Sequence, residues 1–308
     1  MDLAVTLAGR RQDLRLNNPV LTASGTFGYG LEFASFGSLA ELGGIIVKGL
    51  SLRPRHGNPV PRIAETSSGM LNAVGLQNQG VEAFLTRTLP QLPWRHTAII
   101  ANIYAASPEE FGELAARLNG DERLAALEVN ISCPNVRHGG LAFGARPDLA
   151  AEAVASVRAA APDKHVMVKL SPNVTDIAAI ARAVEAAGAD SISCINTLLG
   201  MAVDLQRRRP ALANTVGGLS GPAIKPVALR CVWQVCRAVK IPVVGVGGIA
   251  SPRDALEFIL AGATAVQVGT ASFMNPQAPF DLCRQLPGAC EELGIESLEE
   301  FRGSLEVD

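Results

Sequence analysis

Aromatic side chains are scarce in this chain, 5% of its residues, and charged ones reach only 18%. Beside 48% hydrophobic residues, that scarcity excludes a disordered or fibrous chain and describes a large aliphatic core under a thin charged coat. Charge of one sign is also lacking. The 27 basic and 29 acidic residues leave a net charge of −2, so no long-range field favours nucleic acid or an anionic membrane. Any phosphate must be held by local groups. The six cysteines (Cys133, Cys194, Cys231, Cys236, Cys283 and Cys290) form no CxxC pair and no disulfide-framework spacing, which points to thiols in a reducing compartment. None of His56, His96, His138 and His165 pairs with another His or Cys at metal-ligand spacing, so no metal site is expected. No apolar run reaches the ~18 residues of a spanning helix. The first residues meet Arg10 and Arg11 before any signal-like apolar core. The expectation is a soluble, cytoplasmic protein.

What is present is a rhythm. After a candidate hairpin (residues 2–7 and 11–16), eight short apolar runs begin at Pro19, Gly44, Ala98, Leu127, Val166, Ser191, Pro242 and Ala265. Continuous apolar strands of this kind suit a parallel sheet buried on both faces. Stretches with helical periodicity lie between them, at 108–118, 147–160, 175–187, 223–239 and 252–261. The first opens with Ser107-Pro108-Glu109-Glu110, a capping residue, a proline at the first helical position and carboxylates for the dipole. Eight strands alternating with helices predict an α/β fold, a (β/α)8 barrel with an N-terminal hairpin, as one domain over residues 1–308. Two long insertions, 53–62 continuing to Gln79 and 198–221, follow strand ends on the face where barrels carry chemistry, and read as functional loops.

Polar residues gather at those strand ends: Ser24, Lys48, Asn102, Asn130, Ser132, Cys133, Lys169, Ser171, Asn196 and Thr197. Glycine-rich turns at 217–221, 245–249 and 268–270 free successive backbone N–H groups for a phosphate, and barrels often bind phosphate after their seventh and eighth strands. The run GVGGIA at 245–250 does not match GxGxxG, which disfavours a dinucleotide fold. No GxSxG elbow is present. Cys133 sits at a strand end before a glycine-hinged stretch, where lid closure could desolvate a thiolate. Its spacing alone favours a buried inert thiol, the reading that also suits Cys194, Cys231 and Cys236.

Taken together these motifs resemble the dihydroorotate dehydrogenases from NPVLTASGTFG (18–28) to VGTAS (268–272). Between them lie KGLSL (48–52), NAVGLQNQG (72–80), NISCPN (130–135), KLSPN (169–173), INT (195–197), GGLSGPA (217–223) and GVGGI (245–249). A cysteine at position 133 is similar to the soluble first class; the membrane-associated class uses serine. The stretches CPNVRHGGLAFG (133–144) and LGMAVDLQRRRP (199–210) resemble the catalytic subunits of the NAD-linked subclass.

The resemblance implies oxidation of dihydroorotate to orotate in pyrimidine synthesis, with one FMN per chain taking the hydride. It makes Cys133 the base for the C5 proton, with a rate rising through mildly alkaline pH if the thiol titrates near ~8.5. It assigns Ser24, Lys48, Gly49, Asn102, Asn130, Lys169, Ile195, Gly221, Gly247, Gly248, Gly269 and Thr270 to FMN. It assigns Lys48, Asn72, Ala73, Val74, Gly75, Leu76, Asn130, Asn196 and Thr197 to the substrate. FAD and a [2Fe-2S] cluster would belong to an electron-transfer partner subunit, in a heterotetramer built on a catalytic homodimer. The absence of an iron–sulfur cysteine cluster from this chain agrees with that division. The alternatives are the fumarate-linked soluble subclass, a dihydropyrimidine dehydrogenase-like flavin reductase and a non-catalytic FMN-binding barrel.

Overall fold

A computed structural model describes residues 1–132 and 143–307. Eight parallel strands close into a barrel: β1 (Val20–Thr22), β2 (Gly44–Ile46), β3 (Ala98–Ile103), β4 (Ala126–Asn130), β5 (His165–Leu170), β6 (Ser191–Cys194), β7 (Val243–Val246) and β8 (Ala265–Val268). They neighbour one another in chain order, and β8 closes on β1 through Val266 beside Val20. The run starts expected from the sequence fall within a residue of the observed strands. Helices α1 (Pro108–Asn119), α2 (Pro147–Ala160), α3 (Ile177–Ala186), α4 (Lys225–Ala238), α5 (Pro252–Leu260) and α6 (Ala278–Glu292) cover the outside. Ser107 Oγ accepts from Glu110 N as its sequence position suggests, and Ser251 and Asp254 form a reciprocal capping box at α5. Such caps are worth about 1 kcal/mol each. Helix α6 was not among the expected ones, since Pro287 and Gly288 lie inside it and obscure the periodicity.

Strand parity sorts the side chains into two cores. Val20, Ile45, Ile99, Leu127, Val166, Val243 and Val266 point outward under the helices. Their neighbours Leu21, Ile46, Ile100, Ala126, Met167, Val244 and Ala265 fill the lower barrel with Leu7, Leu14 and Leu16. Those three leucines belong to an antiparallel hairpin, Val5–Leu7 paired with Leu14–Leu16, which plugs the N-terminal end of the barrel. His165 is sealed there, with Nδ1 3.1 Å from Gln12 O and Nε2 2.8 Å from Ser191 Oγ.

The two insertions are not separate loops. Ile63–Thr66, Gly69–Asn72, Gly217–Ser220 and Leu198–Gly200 pair into one four-stranded antiparallel sheet over the C-terminal mouth. These strands are only three or four residues long and rich in glycine, which hides them from pattern reading. The glycines are required by contact: a Cβ on Gly218 would stand 2.0 Å from Thr197 Oγ1, and one on Gly69 2.1 Å from Ser220 O. Among the described residues, no helix is long and apolar enough to cross a membrane.

Candidate active site

Two residues further along most of the strands, the inward parity that gives an apolar floor gives polar side chains. Asn102, Glu128, Ser193 and Gln267 are all fully buried in this middle layer. Above it, a cavity at the C-terminal ends of the strands is lined by Ser24 after β1, Lys48 and Gly49 after β2, Asn102, Asn130 and Lys169. Ile195, Asn196 and Thr197 follow β6 into the same wall, and Gly247, Gly248, Gly269 and Thr270 follow β7 and β8. The insertion sheet adds Asn72, Val74, Gly75, Leu76 and Gly221. Leu76 holds a φ of 57°, a left-handed conformation uncommon for a leucine. Residues drawn from every barrel strand and both insertions thus face one space.

Ala73 is the exception. It packs with Leu71 and Leu212, its N–H donates to Arg62 O at 2.7 Å, and its carbonyl accepts from Asn58 Nδ2 at 3.0 Å. It supports the sheet and does not line the cavity. Ser171 likewise serves its own turn, accepting from Asn173 N at 3.2 Å. Ser132 does more. Its Oγ donates to Asn130 Oδ1 at 2.9 Å and accepts from Asn196 Nδ2 at 2.7 Å, joining the ends of β4 and β6. Asn196 Oδ1 then accepts from Thr197 N at 2.8 Å, and Asn72 Nδ2 donates to Gly218 O at 3.3 Å. The carboxamides around the cavity are therefore held in fixed orientations.

Cys133 lies outside the described residues. Every described cysteine is shifted away from reactivity. Burial raises the Cys194 thiol far above its ordinary range, raises Cys231 and Cys290, and pushes Cys236 and Cys283 up to about 12. Thiols that do not ionise near neutrality are poor bases and poor nucleophiles.

The cavity has two chemically distinct sides. On the β7–β8 side, Gly247 and Gly248 carry φ of 133° and 74°, and Cβ atoms there would approach Ala228 Cβ and Lys225 Cβ to 2.7 Å. Thr270 Oγ1 donates to Ser220 Oγ at 2.8 Å beside them. Bare backbone of this kind is what a phosphate cradle needs. On the β2–β5 side stand Lys48, Lys169 and Asn102, whose Oδ1 is buried without a hydrogen-bond partner. An orphaned acceptor, two lysines and a glycine cradle fit a phosphorylated ring compound that brings an N–H donor and negative charge. FMN meets that description. Below the cavity, Glu128, Ser193 and Gln267 of the middle layer were not foreseen as part of the site. Their available signal is a polar residue at an inward position of an apolar strand, as in LEVN (127–130) and AVQV (265–268).

Comparison with known proteins agrees. The family model described as Dihydroorotate dehydrogenase matches residues 4–289. A protein of Solidesulfovibrio magneticus named Dihydroorotate dehydrogenase B (NAD(+)), catalytic subunit, is 62% identical over 100% of this chain and 99% of its own length. Proteins of the same name from Maridesulfovibrio salexigens and Trichlorobacter lovleyi are 58% and 60% identical, over 100% and 95% of this chain and 99% and 96% of theirs. A crystal structure of DHODH from Eimeria tenella in complex with ferulenol shares the fold at a TM-score of 0.80, with 21% identity, covering 98% of this chain and 88% of that one. With the family model spanning most of its length and relatives near-complete in coverage, this chain belongs to the dihydroorotate dehydrogenase family.

Proposed function

We propose that the chain is the catalytic subunit of an NAD-linked dihydroorotate dehydrogenase, oxidising dihydroorotate to orotate in pyrimidine biosynthesis. The observation that carries this reading is the single cavity in which Asn72, Asn130, Asn196, Lys48 and Lys169 stand across from the Gly247–Gly248 cradle. That arrangement suits a small anionic, amide-bearing ring held against a phosphorylated cofactor. The overreaching likeness to the named catalytic subunits supports the choice among dehydrogenases.

The reaction removes a proton from C5 of the substrate and a hydride from C6. FMN, when bound, supplies the hydride acceptor. Gly247, Gly248, Gly269 and Thr270 would hold its phosphate, and Ser24, Gly49, Asn102, Ile195 and Gly221 its remaining polar groups. Lys169 would balance negative charge on the ring as electrons arrive, and Lys48 and Asn130 would serve both ring and substrate. Asn72, Val74, Gly75, Leu76, Asn130, Asn196 and Thr197 would receive the substrate's amides and carboxylate. Cys133, as thiolate, takes the C5 proton, which the adjacent carbonyl makes acidic. Its assignment rests on the NISCPN motif and is supported by the unreactive state of the other cysteines.

Electrons would leave for NAD through a partner subunit that carries FAD and a [2Fe-2S] cluster, two partners flanking a catalytic homodimer. Exposed Phe273 and Met274 beside the cavity support a protein contact near the mouth. The test is turnover of dihydroorotate by the FMN-saturated chain. Reduction of an artificial dye without the partner, and of NAD only with it, is expected. Fumarate reduction by the chain alone, or turnover of dihydrouracil in place of dihydroorotate, contradicts the reading.

A further inference from the structure

The middle layer of the barrel holds a carboxylate that the chemistry of the mouth does not use. Glu128, on β4, is fully buried. Its Oε2 accepts from Asn102 Nδ2 at 2.6 Å, and its Oε1 from Ser193 Oγ at 2.7 Å and Gln267 Nε2 at 2.8 Å. The donors come from β3, β6 and β8, so the carboxylate is pinned from three sides of the barrel. Carboxylate oxygens only accept, and a neighbouring carboxamide must therefore turn its NH2 toward them. For Asn102 this leaves Oδ1 on the side of Gly49, where an added Cβ would come within 2.9 Å of it. Both residues line the cavity, and that Oδ1 has no partner of its own.

We propose that Glu128 is a positioning residue that fixes the polarity of the Asn102 amide, so that the cavity presents an acceptor there and selects a ligand carrying an N–H donor. The inference rests on the flavin reading of the cavity. Around the closed barrel β3 stands four strands from β7, opposite the glycine cradle. A ligand anchored by phosphate at Gly247 and Gly248 therefore meets Asn102 with its far end. The oxidised flavin ring has one N–H, at N3. A glutamine at position 128 would present an NH2 of its own, could donate to Asn102 Oδ1, and would let the Asn102 amide turn over.

The experiment is a titration of the apo-protein with FMN and with N3-methyl-FMN, followed by quenching of flavin fluorescence. The wild type should prefer FMN by at least about tenfold, the usual cost of leaving a buried acceptor unpaired. Glu128→Gln should weaken FMN binding by about tenfold and shrink the preference below about threefold. In an Asn102→Ala background, Glu128→Gln should change neither affinity further, because the effect runs through that one amide. A purely structural role would weaken both flavins equally and persist in the Asn102→Ala background, and either result overturns the inference. If Glu128→Gln does not fold, Ser193→Ala, which removes one of the donors holding the carboxylate, must show an intermediate loss of preference; a wild-type preference there overturns it too. Absence of FMN binding by the wild type would instead contradict the flavin reading on which the inference stands.

Discussion

Asn196, after β6, donates through Nδ2 to Ser132 Oγ over 2.7 Å, and that hydroxyl donates on to Asn130 Oδ1 over 2.9 Å. One hydroxyl thus sets two carboxamides, at the ends of β4 and β6, that both line the cavity. Ser132→Ala leaves the Asn196 amide N–H without its partner and Asn130 Oδ1 with only the Ser132 backbone N–H, 3.2 Å away. KM for dihydroorotate should rise about tenfold, in line with the cost of unpaired buried polar groups, with a smaller loss of FMN affinity through Asn130. An unchanged KM in steady-state assays would show that the carboxamides are held by other means.

The glycine cradle makes a second claim. At Gly248 a side chain would need φ near 74° and would bring Cβ within 2.7 Å of Lys225 Cβ and 3.0 Å of Gly221 O. Gly248→Ala should cost about 1–3 kcal/mol of stability through strain and loosen FMN by about tenfold or more as the backbone N–H groups move apart. Riboflavin, which lacks the phosphate, should lose much less. Equal losses for the two flavins, measured by fluorescence titration, would place the phosphate elsewhere.

At the other end of the barrel, burial lowers the pKa of His165, sealed between the hairpin and Ser191. Because the folded pKa lies below the unfolded one, the unfolded chain binds the proton first as pH falls. Stability is then unaffected by this group above about pH 6.5 and declines as pH drops below that value, until the folded state also protonates. Melting temperatures taken between about pH 7 and about pH 5 should fall more steeply for the wild type than for His165→Gln, which removes this linkage. Identical slopes would show that His165 takes no part.

Much of this molecule could be read before its structure was known, and the parts that could are those governed by local periodicity. Apolar runs such as AIIANI (98–103) mark buried parallel strands because both faces must be covered, and Ser107 marks a helix start because its hydroxyl meets an unpaired N–H. Most of the mouth residues were legible for the same reason, as polar endings of apolar strands. The insertion sheet was not, since pairing between 69–72 and 217–220 joins segments nearly half the chain apart and leaves no local pattern. Ala73 lies in a motif whose neighbours line the cavity, and only tertiary packing separates it from them. Glu128 was passed over although it shares strand parity with Asn130 at the mouth, because a lone charged residue in a strand does not show which groups it meets. Its role emerges only when β3, β6 and β8 bring Asn102, Ser193 and Gln267 around it.

The most direct test is a single half-reaction, dihydroorotate added to the FMN-loaded chain without oxygen, partner or dye. The flavin colour should bleach, one orotate should form per flavin, and Cys133→Ser should slow the bleaching by about 100-fold or more, the range in which a general base contributes, while the flavin stays bound. A flavin that keeps its colour under saturating dihydroorotate would contradict the account.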